Sequence, residues 1–266
     1  MAVERQSLLS RSPRECVARL CGCLVPALVP PLHVAVLYYA WRQFARSVDK
    51  HYCTCSCWDT VFKGTYESGV ASYKHMYFNA TKNSMKIWVT TVICIISLYE
   101  CVRYLVNLLL ERHMRLSMLT LFLSSIYAHY YSWWAYINYW NDDFYSQWNH
   151  QMFFTITELA STVLVLQLAD SRKFISTRKA LGISGIALLH VLAGGWDQFV
   201  MNVFRGAGHV HQVVRDLGLM VPDLLHVVLP LLEVRSRMRV VDKELAKELI
   251  LILIFIAVGF LICSQL

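Results

Sequence analysis

The run ILILIFIAVGFLIC at 250–263 has no polar side chain. At 3.6 residues per turn it covers about four helical turns and leaves no face for water. Only a helix satisfies the backbone N–H and C=O groups of such a segment without outside partners. A bilayer core of about 30 Å takes about 20 apolar residues as a helix. Seven stretches qualify, near 22–41, 87–110, 116–138, 152–169, 180–203, 217–234 and 249–263. The last is short, which puts Lys247 and Glu248 at its interface. The sixth is interrupted by Pro222, Asp223, His226 and Pro230. Composition agrees, with 56% hydrophobic and 16% charged residues, against about 45–50% and 25% in soluble domains. Disorder, a collagen-like chain and a disulfide miniprotein are excluded, and an ordinary soluble enzyme is a poor description. The expected fold is an all-α polytopic transmembrane bundle of about seven spans. It forms one integral membrane domain over 1–266, without repeats or a second domain.

Basic residues at the span ends set the expected orientation. Arg5, Arg11, Arg14 and Arg19 precede span one, and Arg112 and Arg115 follow span two. Arg172, Lys173, Arg178 and Lys179 follow span four; Arg235, Arg237, Arg239, Lys243 and Lys247 follow span six. The opposite short loops hold only Arg205 and Arg215. The loop 42–86 is long, and long loops cross largely regardless of charge. The expectation is a cytoplasmic N-terminal segment 1–21, a lumenal or extracellular loop 42–86 and a C-terminus on the lumenal or extracellular side. Asn79-Ala80-Thr81, an N-glycosylation sequon, falls in that loop. The first span reads as a signal anchor, since no small-residue cleavage site follows its apolar run. The net charge of +7 is juxtamembrane, and anionic lipid accounts for it without nucleic acid. The expected partners are the lipid bilayer and either a membrane protein or a second copy of the chain, in endomembranes such as the endoplasmic reticulum or in the plasma membrane.

The nine cysteines divide by place. Cys16, Cys21 and Cys23 lie at the cytoplasmic edge of span one, a position suited to palmitoylation. Cys94, Cys101 and Cys263 read as small packing residues. Cys53, Cys55 and Cys57 open the lumenal loop, where an oxidising compartment favours disulfides. Zinc on these three thiolates would lack a fourth ligand at the usual spacing.

The informative layer is polar and lies inside the spans. An ionisable side chain at mid-bilayer costs several kcal/mol unless it is paired or faces a cavity. Glu100, His129, Glu158, His190 and His226 fall near mid-depth in spans two to six, with Asp197 and Asp223 nearer the lumenal half. Glu100 and Arg103 are three apart and neutralise each other within one span. The site candidates are therefore His129, Glu158, His190, Asp197, Asp223 and His226. His129, His190 and His226 are the candidate ligands for a divalent metal, with Glu158 or Asp223 completing the set. The same groups suit a proton relay, because imidazole titrates near neutral pH, or acid–base chemistry on a lipid. The structural alternative is a set of interhelical hydrogen bonds.

Two further features bear on this layer. Gly194-Gly195-Trp196-Asp197-Gln198 interrupts span five, and Pro222-Asp223 and Pro230 interrupt span six. Such breaks free backbone groups, and transporters place binding sites at them. His209 and His211 lie in the turn between these spans. Eleven aromatic residues fall within 127–148, around Asn141-Asp142-Asp143. Interfacial anchoring explains them, and an aromatic, acidic mouth also suits a cation.

Seven spans invite a receptor reading, but the expected orientation is inverted and Asp-Arg-Tyr and Asn-Pro-x-x-Tyr are absent. The topology is similar to that of adiponectin-receptor-like and alkaline-ceramidase-like proteins, which hold zinc with intramembrane histidines. Their His-x-x-x-His in the last span is missing, since span seven has no histidine, and no residue role carries over. No P-loop, Gly-x-Ser-x-Gly or His-Glu-x-x-His is present. The leading expectation is a non-enzymatic membrane protein that moves a small solute, an ion or a proton through the polar layer, or assists a partner that does. The alternatives are a metal-dependent enzyme acting on lipid within the membrane, and a scaffold or assembly subunit with structural polar groups.

Overall fold

The apolar runs fold into helices throughout. The computed structural model describes residues 13–40, 82–141, 148–235 and 243–266; Cys53, Cys55, Cys57 and Asn79 lie outside them. Among the described residues seven α-helices follow one another: α1 (Pro13–Ala40), α2 (Lys82–Leu110), α3 (Leu116–Asn141), α4 (Trp148–Leu168), α5 (Thr177–Gly194), α6 (Val210–Val234) and α7 (Lys243–Gln265). A π-helix, Gly195–Phe204, continues α5. Each predicted span overlaps one helix, several of which begin five to nine residues earlier, and span five overlaps α5 plus the π-helix.

Among the described residues five helices are long and apolar enough to cross a membrane, α1, α2, α4, α6 and α7; α5 and the bent segment after it pass the same test together, and count as a sixth if the bent pair is one span. The side chains that many of them leave exposed are Leu, Ile, Val and Phe, as on α7 from Ile250 to Ile262. Such faces suit lipid rather than water. Helix α3 falls short on hydropathy because Tyr and Trp fill it, yet it contains no Asp, Glu, Lys or Arg.

The described residues group into two compact units. The first holds α1, α2 and the end of α3 from Trp133. Gly22 lets α1 approach α2, since a Cβ there would stand 3.0 Å from the Tyr99 ring. Trp133 Nε1 donates to Thr91 Oγ1 at 3.1 Å, and the His33 ring lies 4.9 Å from Trp134 between centroids. Pro26, Pro30 and Pro31 lie inside α1. Cys16 and Cys23 are exposed on it and Cys21 half-buried, all as free thiols.

The second unit holds the start of α3, then α4, α5, the π-helix, α6 and α7. Its helix ends meet at one side. The loops after α2 and α4 pair at Met114 and Asp170, and the Arg115 guanidinium donates to the Leu168 and Lys173 carbonyls. Arg172 donates to both oxygens of Asp170, and these bonds hold that carboxyl below its usual range. Arg178, at the start of α5, pairs with Glu248 near the start of α7. Ser117, at the start of α3, donates to Glu233 at the end of α6. The basic residues that set the expected orientation are thus partly used as clamps between neighbouring helix ends. At the opposite end Gly206 turns the chain with φ +64°, a conformation glycine takes without steric cost. Gln212 then accepts from the His209 backbone N–H at 2.8 Å, which caps α6.

Without a hydrophobic force between helices in lipid, close packing over small residues holds them. Helices α5 and α7 interlock reciprocally. A Cβ at Gly185 would stand 2.7 Å from Ile252 of α7, and one at Gly259 would stand 2.5 Å from Leu189 of α5. Leu189 is fully buried and has no room to yield. Gly259→Ala should therefore cost about 1–3 kcal/mol by overpacking, read as a lower midpoint of thermal unfolding in detergent. Gly194→Ala, with open space around it, should leave that midpoint nearly unchanged.

Candidate functional site

Three consecutive helices each carry one ionisable group to the same point in the second unit. Glu158 lies midway along α4, His190 near the end of α5 and Asp223 midway along α6. One ligand atom from each lies within 4.8 Å of the others. His190 Nδ1 is 3.4 Å from Asp223 Oδ1 and 3.7 Å from Glu158 Oε2. Glu158 and His190 are only 8% and 6% exposed, so water does not carry their charge. The Phe154 ring packs 5.0 Å from the imidazole and closes one side.

Thr157 orients the imidazole. Its Oγ1 lies 2.7 Å from His190 Nε2 and 2.8 Å from the Phe153 carbonyl four residues earlier. A hydroxyl has one proton. Directed to Phe153, as threonine does within helices, it leaves Oγ1 to accept from Nε2–H. His190 Nδ1 then faces the two carboxylates with a lone pair or a second proton. Distances of 3.4 and 3.7 Å exceed the usual N–H···O range of 2.7–3.2 Å. The three groups can therefore share a cation or a proton rather than closing on one another.

Beside this cluster the helix breaks are mended by side chains. Pro230 has no N–H for the carbonyl of His226, its residue i−4. The Ser184 hydroxyl of α5 stands 3.3 Å from the His226 carbonyl and 3.0 Å from that of Val227, so its one proton is shared between the two. His226 Nδ1 donates to the Pro222 carbonyl at 2.8 Å, since a carbonyl only accepts. That bond leaves a lone pair on His226 Nε2, which is buried without a hydrogen-bond partner. His226 is 2% exposed and interacts electrostatically with both His190 and Asp223.

Of the six sequence candidates, the structure thus brings together Glu158, His190 and Asp223. His226 adjoins them. His129 Nε2 bonds Thr162 Oγ1 of α4 at 2.8 Å, and the Asp197 side chain is outside the described residues. The compact cluster holds one histidine and two carboxylates, whereas the sequence reading centred on three histidines. Thr157, Thr162 and Ser184 were missed. Thr157 and Thr162 carried a signal, a hydroxyl within one helical turn of Glu158, and Ser184 carried none; neutral hydroxyls cost little in a span and draw no notice.

A separate network pins the π-helix to α6. Arg215 donates to Asp216 at 2.7 Å and to Gln198 at 3.0 Å, and Asn202 donates to Asp216 at 2.7 Å. These groups satisfy one another, as buried polar groups do in native proteins.

Ser184→Ala should leave the carbonyl freed by Pro230 unpaired and cost about 0.5–1.5 kcal/mol, while Ser184→Thr keeps the hydroxyl and restores most of it. Thermal unfolding in detergent reads both, and equal midpoints for the alanine variant and the parent would refute the role given to Ser184.

No curated protein and no solved structure matches the chain. Residues 15–266 match the model of a family of unknown function, DUF8801. With nearly its whole length matched, the chain belongs to that family.

Proposed function

We propose that this multi-pass membrane protein moves a small cation or a proton through the bilayer, or assists a partner chain that does. The observation that carries this reading is the gathering of Glu158, His190 and Asp223 from three consecutive helices. A scaffold gains nothing from two carboxylates within one coordination distance. In low dielectric their repulsion and desolvation cost several kcal/mol unless protons or a cation compensate. A site whose charge is balanced only when loaded suits a carrier that loads and unloads.

The reading includes seven crossings with a cytoplasmic N-terminus. Seven is supported by α3. Its start is tied to the loop after α4, and Gln151 of α4 donates to Ser132 of α3. The two helices therefore run antiparallel, and at about 1.5 Å per residue the 26 residues of α3 are long enough to accompany α4 across. The basic residues at the side where α3, α5 and α7 start support assigning that side to the cytoplasm.

The test is flux. The purified chain is reconstituted in proteoliposomes, with a pH-sensitive dye and a divalent-metal dye inside, and a proton or metal gradient is imposed. The parent should dissipate one gradient, and His190→Gln and Glu158→Gln should slow it about tenfold or more, equivalent to at least 1.4 kcal/mol. Parent vesicles as tight as empty ones, or variants as fast as the parent, would refute transport through this cluster.

A further inference from the structure

We infer that Glu158, His190 and Asp223 form a binding site for a divalent first-row transition metal such as zinc. The inference deepens the transport reading and rests on it for the metal's role as cargo; the site itself stands on its own geometry. Metal–ligand bonds to imidazole nitrogen and carboxylate oxygen are about 2.0–2.2 Å, and two such ligands across a tetrahedral angle lie about 3.4 Å apart. His190 Nδ1 is 3.4 Å from Asp223 Oδ1 and 3.7 Å from Glu158 Oε2. These separations are longer than the usual N–H···O range; they fit ion pairs of a protonated His190 with the two carboxylates and equally fit two edges of one coordination shell around a metal bound by the neutral imidazole. One carboxylate oxygen of Glu158 and one of Asp223 lie within 4.8 Å of each other.

The donors select the metal. Magnesium and calcium prefer shells of oxygen, six or more for calcium, whereas an imidazole nitrogen with carboxylates suits zinc and its neighbours. Two carboxylates balance a +2 ion in a place where net charge is costly. Thr157 holds Nε2, the outer-sphere bond that presents the other ring nitrogen to a metal. With His190 neutral, the buried Glu158 carboxylate 3.7 Å from its Nδ1 keeps lone pairs for a ligand. Three protein ligands leave a coordination position open, which favours exchange. His226 Nε2, buried and without a hydrogen-bond partner, is a nearby lone pair from which a leaving metal could be relayed.

The full chain is purified in detergent, stripped with EDTA, and titrated with Zn²⁺ by calorimetry and with Co²⁺ by visible absorption. The expected result is one equivalent per chain, with cobalt bands of a low-coordinate site with nitrogen ligation, undisturbed by millimolar Mg²⁺ or Ca²⁺. His190→Gln should abolish the cobalt bands. Thr157→Val, which keeps the side-chain shape and all three ligands, should weaken binding about 10–100-fold, and it decides the matter if His190→Gln fails to fold. No saturable binding by the folded parent, displacement by Mg²⁺, or unaltered affinity in Thr157→Val would overturn the site. Proton flux without metal binding would overturn this inference and leave transport standing. Metal binding without flux of any kind would overturn transport and leave the site.

Discussion

A backbone carbonyl inside a bilayer has no water to turn to, and this constraint organises the second unit. Where Pro230 withdraws the donor that the His226 carbonyl would have used, Ser184 supplies a hydroxyl from the next helix. Within α6 the Pro222 carbonyl also accepts the Nδ1–H of His226. The first bond ties α6 to α5 and the second fixes the His226 ring beside the ionisable cluster. The helix breaks thus both weaken α6 as a regular helix and determine which groups stand still next to Asp223.

The same constraint explains the threonines. Thr157 and Thr162 sit on α4 facing His190 and His129. A histidine between helices needs a partner for each ring nitrogen, and a hydroxyl supplies one without adding charge. For His129 the bond to Thr162 closes an interhelical contact. For His190 the bond to Thr157 occupies one nitrogen and turns the other toward two carboxylates. The difference lies in what stands opposite, because α6 brings Asp223 to His190 while α4 already carries Glu158 one residue from Thr157. One kind of polar contact is therefore structural in one place and preparatory in the other.

Packing and site are linked through α5. Its Gly185 and Leu189 interlock with Ile252 and Gly259 of α7, and Ser184 and His190 on the same helix serve α6. The pairing of α5 with α7 thus fixes the helix that carries the imidazole. The clamps at the helix ends, Arg115 on the Leu168 and Lys173 carbonyls and Arg178 on Glu248, hold the register in which the three groups meet. A shift of one residue, about 1.5 Å along a helix, would draw them apart.

Much of this was legible in the residues alone. The seven helices, the break at Gly194-Gly195 and the list of costly polar groups all follow from local sequence. Hydropathy, glycine and proline act within a few residues, and the cost of a buried charge does not depend on its neighbours' identity. Which of those groups converge is a different kind of fact. Glu158, His190 and Asp223 are spread over more than sixty positions, and helical spacing relates only residues on one helix. Grouping by chemistry favoured three histidines; the actual set depends on how far each helix is rotated about its axis and slid along its neighbours. Small-residue contacts between α5 and α7 and carbonyl repair between α5 and α6 set those rotations. The sequence determined that this chain is a helical membrane protein with charges where charges are expensive. Only the tertiary structure decided that one imidazole and two carboxylates share a single point.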